Sequence, residues 1–457
     1  MATYEFNQGY PTEDAARAAL DDAAYQRALA AYRFWYPTVS AEGIFEGNRG
    51  AGIEDDVAIS FASTGPLQRG FTLNSDTPYG AGVLDLRDGP MAIELPPGPF
   101  IGLVDDHHQR WIFDMGIPGP DAGKGGVHVV LPPDYDGAEP EGAFVGRADS
   151  FKVLLALRAL PVGGDVEKAT AGLRSIKVHR LGDESSALGF VETTEVAMES
   201  TCLAWEDNLE FWRVLHRVLE EEPVVEEFRP MHGLLEDLGI GKGHEFSPDE
   251  RMTAILERAA RDGRDQMLVS AFASDRPDRI AWPDRKWEWA GLISDNADFE
   301  TPAGLDLEAR DRWFAQAIVA SPAMFRRQEG GGSLYWLAAR DGDGAYLDGG
   351  RNYRLSVPTP VPGKLFWSLT IYDAETRSQV QTDQGKAALR SLFELREVGE
   401  SAGTVDLFVG PDSSEGAQHR WIETTPGRGW FTYLRIYGPE APAFDGSWKL
   451  EDFVALD

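Results

Sequence analysis

Asn74, Asp76, Thr77 and Tyr79 place an amide, a carboxylate, a hydroxyl and a phenol within one short segment, NSDTPY. Asn and Asp side chains accept hydrogen bonds from backbone amides two residues further on, and Pro78 restricts the backbone, so a turn accounts for part of the pattern. A turn needs neither Thr77 nor Tyr79. The segment is therefore interpreted in two ways: as a plain turn before a strand, or as a turn that also presents Asp76 as a general acid or base, with Tyr79 beside it.

A second group of polar side chains lies near the C-terminus, in segments that alternate as strands do. In FWSLTIYD, Trp367 falls on an apolar face and Ser368 on the opposite, hydroxyl-bearing face. Arg435 and Tyr437 likewise share one face of their segment, and we expect both polar faces to line a cleft that closes around Asp76. The candidate site comprises catalytic side chains (Asp76, Tyr79, Arg435) and ligand-binding side chains (Asn74, Thr77, Trp111, Trp367, Ser368, Tyr437).

The segment DDHHQRW places two carboxylates and two imidazoles together. If it is an extended strand, Asp105 and His107 share one face, and Asp106 and His108 share the other. Either face could contribute to a divalent metal site or to an acid/base pair. The alternative is a pair of histidines on a solvated sheet edge.

Motifs for cofactors are missing from the sequence. GPDAGKGG has too short a spacing for a phosphate-binding loop and lacks the following Ser or Thr, so we expect a connection between strands there. There is no G-x-S-x-G nucleophile turn and no H-E-x-x-H zinc motif. Cys202 is the only cysteine, so no thiolate metal site and no internal disulfide can form. We therefore expect no organic cofactor.

Composition narrows the classes of partner. The 457 residues carry a formal net charge of -32, which disfavours nucleic acid and anionic lipid and favours a neutral or cationic small molecule. No apolar run is long enough for a membrane span. The first residues show neither a basic nor an apolar leader segment, so a cytoplasmic protein is expected. A homo-oligomer remains open.

The pattern of elements predicts an α+β fold: two mainly antiparallel β-sandwich-like domains, with an N-terminal helix and a helical layer between them. The first helix is predicted to begin at Thr12 and stop at Pro37, and a later helix to begin at Ser247 and stop at Gly263. The expected domains are an N-terminal helical segment (1–52), a first β domain (53–194), a helical linking region (195–330) and a C-terminal β domain (331–457).

Several long stretches resemble a known family. They include NSDTPYGAGVLDLRDGPMAIELP, QRWIFDMGIPGPDAGKGGVHVVLPPDYDG, KLFWSLTIYDAETRS and GRGWFTYLRIYGPEAPAFDGSWKL. The chain resembles the bacterial proteins that pair domain of unknown function 1254 with domain of unknown function 1214. The resemblance implies two β-sandwich-like domains with helices between and around them, and it brings no activity and no catalytic residues with it. Some relatives look secreted.

Three classes of function fit these observations. The first is a cofactor-independent enzyme of hydrolase or lyase type, using carboxylate acid/base chemistry on a polar small molecule such as a glycoside. The second is a non-catalytic small-ligand-binding protein with an aromatic-lined cleft. The third is a structural subunit whose β domains mediate assembly.

Overall fold

A long N-terminal helix, two β sandwiches and a layer of shorter helices make up the chain, which a computed structural model describes over residues 4–292, 296–330, 332–396, 403–413 and 416–456. The α+β class predicted from the sequence is confirmed. The helices are α1 (Glu13–Gly50), α2 (Val166–Arg174), α3 (Leu209–Glu221), α4 (Arg229–Glu236), α5 (Glu250–Phe272), α6 (Leu307–Phe314) and α7 (Pro322–Phe325). None of the helices within the described ranges has the length and apolar content that a membrane crossing requires.

The strands fall into two groups, separated by the helices that follow residue 200. The strands of the first group are β1 (Phe6–Asn7), β2 (Tyr10–Pro11), β3 (Ala58–Ser63), β4 (Gln68–Arg69), β5 (Pro78–Asp85), β6 (Met91–Leu95), β7 (Phe100–Asp106), β8 (Trp111–Gly116), β9 (Gly126–Leu131), β10 (Phe144–Arg147), β11 (Lys152–Ala159), β12 (Lys177–Arg180), β13 (Gly189–Glu192) and β14 (Met198–Glu199). The strands of the second group are β15 (Glu288–Trp289), β16 (Glu300–Thr301), β17 (Gly304–Leu305), β18 (Ser333–Ala338), β19 (Asn352–Thr359), β20 (Gly363–Asp373), β21 (Ala388–Arg390), β22 (Gly403–Gly410), β23 (Trp421–Glu423), β24 (Trp430–Pro439) and β25 (Val454–Leu456).

The first sandwich stacks a six-stranded sheet, ordered β13-β3-β5-β11-β7-β8, on a four-stranded sheet, ordered β10-β9-β6-β12. Leu84, Ile93, Val130 and Leu155 belong to the core between the two sheets. Strand pairing in the central part of both sheets is antiparallel, as predicted. Every second residue of a strand points to the same face, so the alternate apolar residues of these strands form the core between the two sheets.

The second sandwich stacks a five-stranded sheet, ordered β15-β18-β24-β20-β21, on a four-stranded sheet, ordered β23-β22-β19-β25. Its core includes Trp336, Leu369, Leu407 and Leu434. The antiparallel pairing of β18, β24 and β20 confirms the strands predicted from alternation. The domain boundaries proposed from the sequence stay a prediction.

Helix α1 does not stop at Pro37, as the sequence predicted, and continues to its end at Gly50. A proline inside a helix removes one donor and bends the helix, and side chains of other elements bond to carbonyls near it. Arg310 Nη1 donates to the Phe34 carbonyl at 2.7 Å, and Gln109 Nε2 donates to the Pro37 carbonyl at 2.7 Å. Burial of this half of the helix on all sides thus outweighs the local preference of proline.

Helix α5 begins later and ends later than the sequence predicted. Asp249, not Ser247, is its N-cap, with the carboxylate accepting from the Met252 amide at 2.7 Å. Gly263 lies inside the helix. A Cβ atom at this position would overlap the ring of Tyr32 on α1. The glycine therefore permits close packing of two helices and does not end one.

Candidate functional site

A cavity of about 190 Å³ lies between the two sandwiches. Its walls are the face of the six-stranded sheet that points away from the first core and the corresponding face of the five-stranded sheet. The end of α1 and the segment before α7 close the sides. Most of the wall is apolar and includes Ile44, Leu103, Leu154, Ala156 and Ile318. Both β domains are needed to form this space.

One end of the cavity is polar, and the strand register explains why. On the six-stranded sheet, Tyr79 of β5 lies opposite Arg158 of β11. On the five-stranded sheet, Tyr335 of β18 lies opposite Arg435 of β24, and Tyr437 is two residues further along β24. All five side chains line the cavity. Alternation therefore places two guanidinium groups and three phenols on facing sheet surfaces.

The segment before β5 is a turn, as its residue types predict. Asn74 Oδ1 accepts from the Asp76 amide at 3.0 Å, which is the Asx turn expected for this residue type. This bond fixes the orientation of the Asn74 amide, so its Nδ2 donates to the Tyr79 hydroxyl at 2.7 Å. The turn thus also positions a phenol at the cavity wall.

Asp76 links the two β domains from behind the wall. Its Oδ2 accepts from the Ser368 hydroxyl at 2.8 Å and from the Tyr437 hydroxyl at 2.8 Å. Asp76 is 2% exposed and does not line the cavity, and its Oδ1 has no hydrogen-bond partner among the described residues. The carboxylate therefore acts on the cavity through Tyr437.

Arg158 is a residue that the sequence analysis missed. Its Nε donates to Thr77 Oγ1 at 2.9 Å and its Nη2 to the Tyr437 hydroxyl at 2.8 Å. The guanidinium carbon lies 5.0 Å from the Tyr79 ring centroid and 5.5 Å from that of Tyr437, within range of a cation–π contact. No described residue accepts a hydrogen bond from Nη1. The available signal was a charged residue in the apolar strand LLALRAL, on the face opposite Leu157.

Arg435 lies deeper than Arg158 and makes no hydrogen bond to Asp76. Its Nη2 donates to the Thr72 carbonyl at 2.9 Å and its Nη1 to Thr370 Oγ1 at 3.2 Å. The Nε atom is buried and has no partner among the described residues. Three tyrosines surround the side chain, with ring centroids 5.0 to 5.6 Å from its guanidinium carbon: Tyr335, Tyr372 and Tyr433.

Burial sets the protonation of these groups. Removal from water raises the pKa of the Tyr79 phenol and raises that of Tyr437 strongly, although Arg158 lowers both. Burial lowers the pKa of Arg158, but the phenols of Tyr437 and Tyr79 reverse the shift, and the net change is upward. The phenols are therefore neutral hydrogen-bond donors and the guanidinium groups are cations at neutral pH.

Neither predicted tryptophan lines the cavity. Trp367 belongs to the core of the second sandwich, because its position in β20 is on the face opposite Ser368. Trp111, at the start of β8, packs against the helical core instead. An aromatic stacking wall built on these two residues is therefore absent from the cavity, whose aromatic members include the tyrosines of the polar end.

The four residues considered for a metal site do not converge. Strand β7 ends at Asp106, so His107 and His108 lie in a turn and the predicted alternation is wrong for them. Asp105 Oδ2 accepts from the Ala320 amide at 2.8 Å, and Asp106 Oδ1 accepts from the His108 amide at 2.8 Å. Across the described ranges, no group of three or more His, Cys, Asp or Glu side chains is arranged to hold a metal ion.

His107 is instead the centre of a buried charge cluster. Its Nε2 lies 3.1 Å from Glu42 of α1, and its Nδ1 lies 3.1 Å from Glu222, just after α3. Burial lowers the pKa of the imidazole, but hydrogen bonds with Glu222 and Glu42 reverse this and raise it to about 9. The cluster joins the first sandwich to the helices.

Two β sandwiches whose large sheets enclose a cavity define the fold of this protein. Residues 60–180 match the family described as "Protein of unknown function (DUF1254)" and residues 332–441 match "Protein of unknown function (DUF1214)". The chain therefore carries both regions, in the order that its sequence resemblance predicts. No curated protein matches the chain.

A solved structure shows the same fold at low sequence identity. The VPA0106 protein from Vibrio parahaemolyticus is 15% identical with a TM-score of 0.57, over 95% of this chain and 100% of that one. An uncharacterised protein from Burkholderia cenocepacia is 11% identical with a TM-score of 0.43, over 97% of each chain. The first similarity extends to nearly the whole architecture.

Proposed function

We propose that the protein binds a small organic molecule in the cavity between its two β domains. The observation that carries this proposal is the conjunction of an apolar, ligand-sized space with polar groups from both domains at one end. Such a space, mostly apolar with a few converging polar groups, is the usual form of a small-molecule site. A role in assembly alone would need neither the cavity nor the polar end.

Filling the cavity tests the proposal. Ala156 lies on the cavity wall between Ala81 and Leu103 of the neighbouring strands. Ala156→Leu places a larger side chain in the empty space, so we expect unchanged or slightly higher stability, by up to about 1 kcal/mol. The wild type should bind the neutral probe N-phenyl-1-naphthylamine with a saturable rise in fluorescence. The variant should bind the probe with about tenfold lower affinity.

The matched control is Ala171→Leu, which makes the same change on an exposed position of α2. This control should bind the probe as the wild type does. Equal binding by the wild type and Ala156→Leu, or no saturable binding by the wild type, would overturn the proposed function.

A proton-transfer enzyme of hydrolase or lyase type is the second candidate. It is favoured by one specific arrangement: the Tyr437 hydroxyl donates to Asp76 at 2.8 Å and accepts from Arg158 at 2.8 Å. A carboxylate, a phenol and a guanidinium joined in this way could move a proton to or from a bound molecule. The apolar walls do not favour a glycoside, because its ring hydroxyls would lack partners there.

A further inference from the structure

We propose that the ligand of this cavity is an amphipathic anion: a small molecule whose apolar body lies between the two sheets and whose carboxylate, or a similar pair of oxygens, faces Arg158. This inference rests on the proposed function and adds the chemical class of the ligand. It differs from the neutral or cationic class that the overall charge of -32 favours.

The polar end offers donors to a ligand. Arg158 uses Nε and Nη2 within the protein, which leaves Nη1 without an acceptor among the described residues. The Tyr79 hydroxyl accepts from Asn74, and no described residue accepts its proton. A planar guanidinium and a neighbouring phenol match the oxygens of a carboxylate, and such charge-assisted hydrogen bonds are about twice as strong as neutral ones.

The charges that line the cavity also favour an anion at this end. Charged side chains of the wall are Arg158, Arg435 and Asp114. Asp76, behind the wall, accepts hydrogen bonds from Ser368 and Tyr437. It contributes one negative charge, whereas Arg158 and Arg435 contribute two positive charges. The surface charges act from greater distances through water, where salt screens them beyond about 10 Å.

Asp114 does not cancel this preference, because it lies at another part of the wall. It belongs to the edge strand β8, opposite Leu103 and two strands away from β11, which carries Arg158. Burial raises the pKa of its carboxyl to about 6. The two guanidinium groups therefore dominate the polar end.

The rest of the wall determines the other half of the ligand. Leu103, Leu154, Ile318, Val319 and Met324 are among the side chains along the apolar part of the cavity. These groups stabilise a hydrocarbon chain or ring because its apolar surface is removed from water. A sugar would leave its hydroxyls unpaired against them, and an organic cation would face two guanidinium groups.

The test is displacement of N-phenyl-1-naphthylamine by three ligands of similar size: hexanoate, hexanamide and hexylamine. We expect hexanoate to displace the probe at concentrations about tenfold lower than hexanamide does, and hexylamine to be the weakest. Hexanamide or hexylamine acting as well as hexanoate would overturn the anion class, while the saturable probe would still support the proposed function. Absence of probe binding would instead overturn the proposed function itself.

Variants of Arg158 assign the preference to its charge. In Arg158→Met the advantage of hexanoate over hexanamide should disappear, and Arg158→Lys should restore part of it, because lysine keeps the charge and loses the planar fork. Arg17→Met, at an exposed position of α1, is the control and should leave the preference unchanged.

Tyr79→Phe keeps the test decisive if Arg158→Met does not fold. This change removes one hydroxyl at the wall and should weaken hexanoate binding by about tenfold, as expected for a hydrogen bond to a charged group. Hexanamide should be affected less. Tyr353→Phe, whose hydroxyl accepts from the Asp348 amide away from the cavity, is the control. Unchanged hexanoate affinity in Tyr79→Phe, when Arg158→Met does not fold, or in both variants when it does, would overturn the inference.

Discussion

At the scale of single residues, the position of Asp76 allows a structural role to be distinguished from a chemical one. It joins the first β domain to Ser368 and Tyr437 of the second, and it lies behind the cavity wall. Loss of its side chain should therefore affect stability even if no reaction takes place. A change that keeps the hydrogen bonds and removes the charge should affect proton transfer more than stability.

Substitutions of Asp76 distinguish these effects. Asp76→Ala leaves two buried hydroxyl donors without an acceptor, and we expect the free energy of unfolding to fall by about 2–4 kcal/mol. Asp76→Asn keeps an acceptor oxygen and should lower it by about 1 kcal/mol. If the enzyme candidate is correct, Asp76→Asn retains ligand binding and stops conversion of the ligand, as followed by mass spectrometry.

Denaturant unfolding measures the stability part of this prediction. The exposed Asp88→Asn is the control and should remain within about 0.5 kcal/mol of the wild type. Wild-type stability in Asp76→Ala would show that the bridge between the domains does not contribute to folding. Undiminished conversion in Asp76→Asn would remove Asp76 from the chemistry.

At the scale of elements, strand alternation was the most informative pattern in the sequence. It placed Ser368, Arg435 and Tyr437 on the faces that the structure turns towards the first domain, and it also shows why Trp367 belongs to a core. Alternation could not indicate that Arg158 meets Tyr437, because that contact joins strands far apart in the chain. Prediction from one sequence therefore identifies faces better than it identifies contacts between domains.

Helix ends were predicted less well, for a related reason. Local signals such as Pro37 and Gly263 describe what a residue prefers in isolation, whereas both lie within helices that other elements surround. The histidines after β7 were misplaced because nothing local marks the end of that strand at Asp106. Tertiary packing decided each of these cases.

The packing of Gly263 gives a prediction with a matched control. Alanine is favoured over glycine in helices by about 1 kcal/mol, but at Gly263 a methyl group would overlap Tyr32, so Gly263→Ala should lower the free energy of unfolding by about 1–3 kcal/mol. A Cβ atom at Gly233 of α4 meets open space, so Gly233→Ala should raise stability by about 0.5–1 kcal/mol. Thermal or denaturant unfolding measures both. Equal shifts of the same sign would contradict close packing of α1 on α5.

At the scale of the whole molecule, buried ionisable side chains connect the first sandwich to the helices. Glu42 on α1 and Glu222 after α3 both contact His107 in the turn after β7. Arg49 and Arg217 also contact Glu42, at 2.9 and 3.3 Å. A buried pair of this kind is strongly destabilised when one member is removed or neutralised. The junction between sheet and helices should therefore depend on pH.

The direction of that dependence follows from the pKa of His107, which is raised to about 9 from an ordinary value of 6.5. The folded state binds a proton that the unfolded state releases between these values, so the contribution of His107 is fully present below pH 6.5 and is lost as the pH rises through 9. For Glu42, whose pKa is lowered to about 2 from 4.5, the contribution is present above pH 4.5 and is lost as the pH falls through 2. Both contributions to stability are therefore fully present between pH 4.5 and pH 6.5.

Replacement of His107 tests the junction. His107→Gln should lower the free energy of unfolding by about 2–3 kcal/mol near pH 6, and the difference from the wild type should shrink as the pH approaches the folded-state pKa of about 9. The exposed His244→Gln should follow the wild type at every pH. Urea unfolding at pH values from 5 to about 10 measures the difference. A constant offset between His107→Gln and the wild type across that range would mean that the imidazole acts by its shape alone, because only a proton held between Glu42 and Glu222 makes the difference depend on pH.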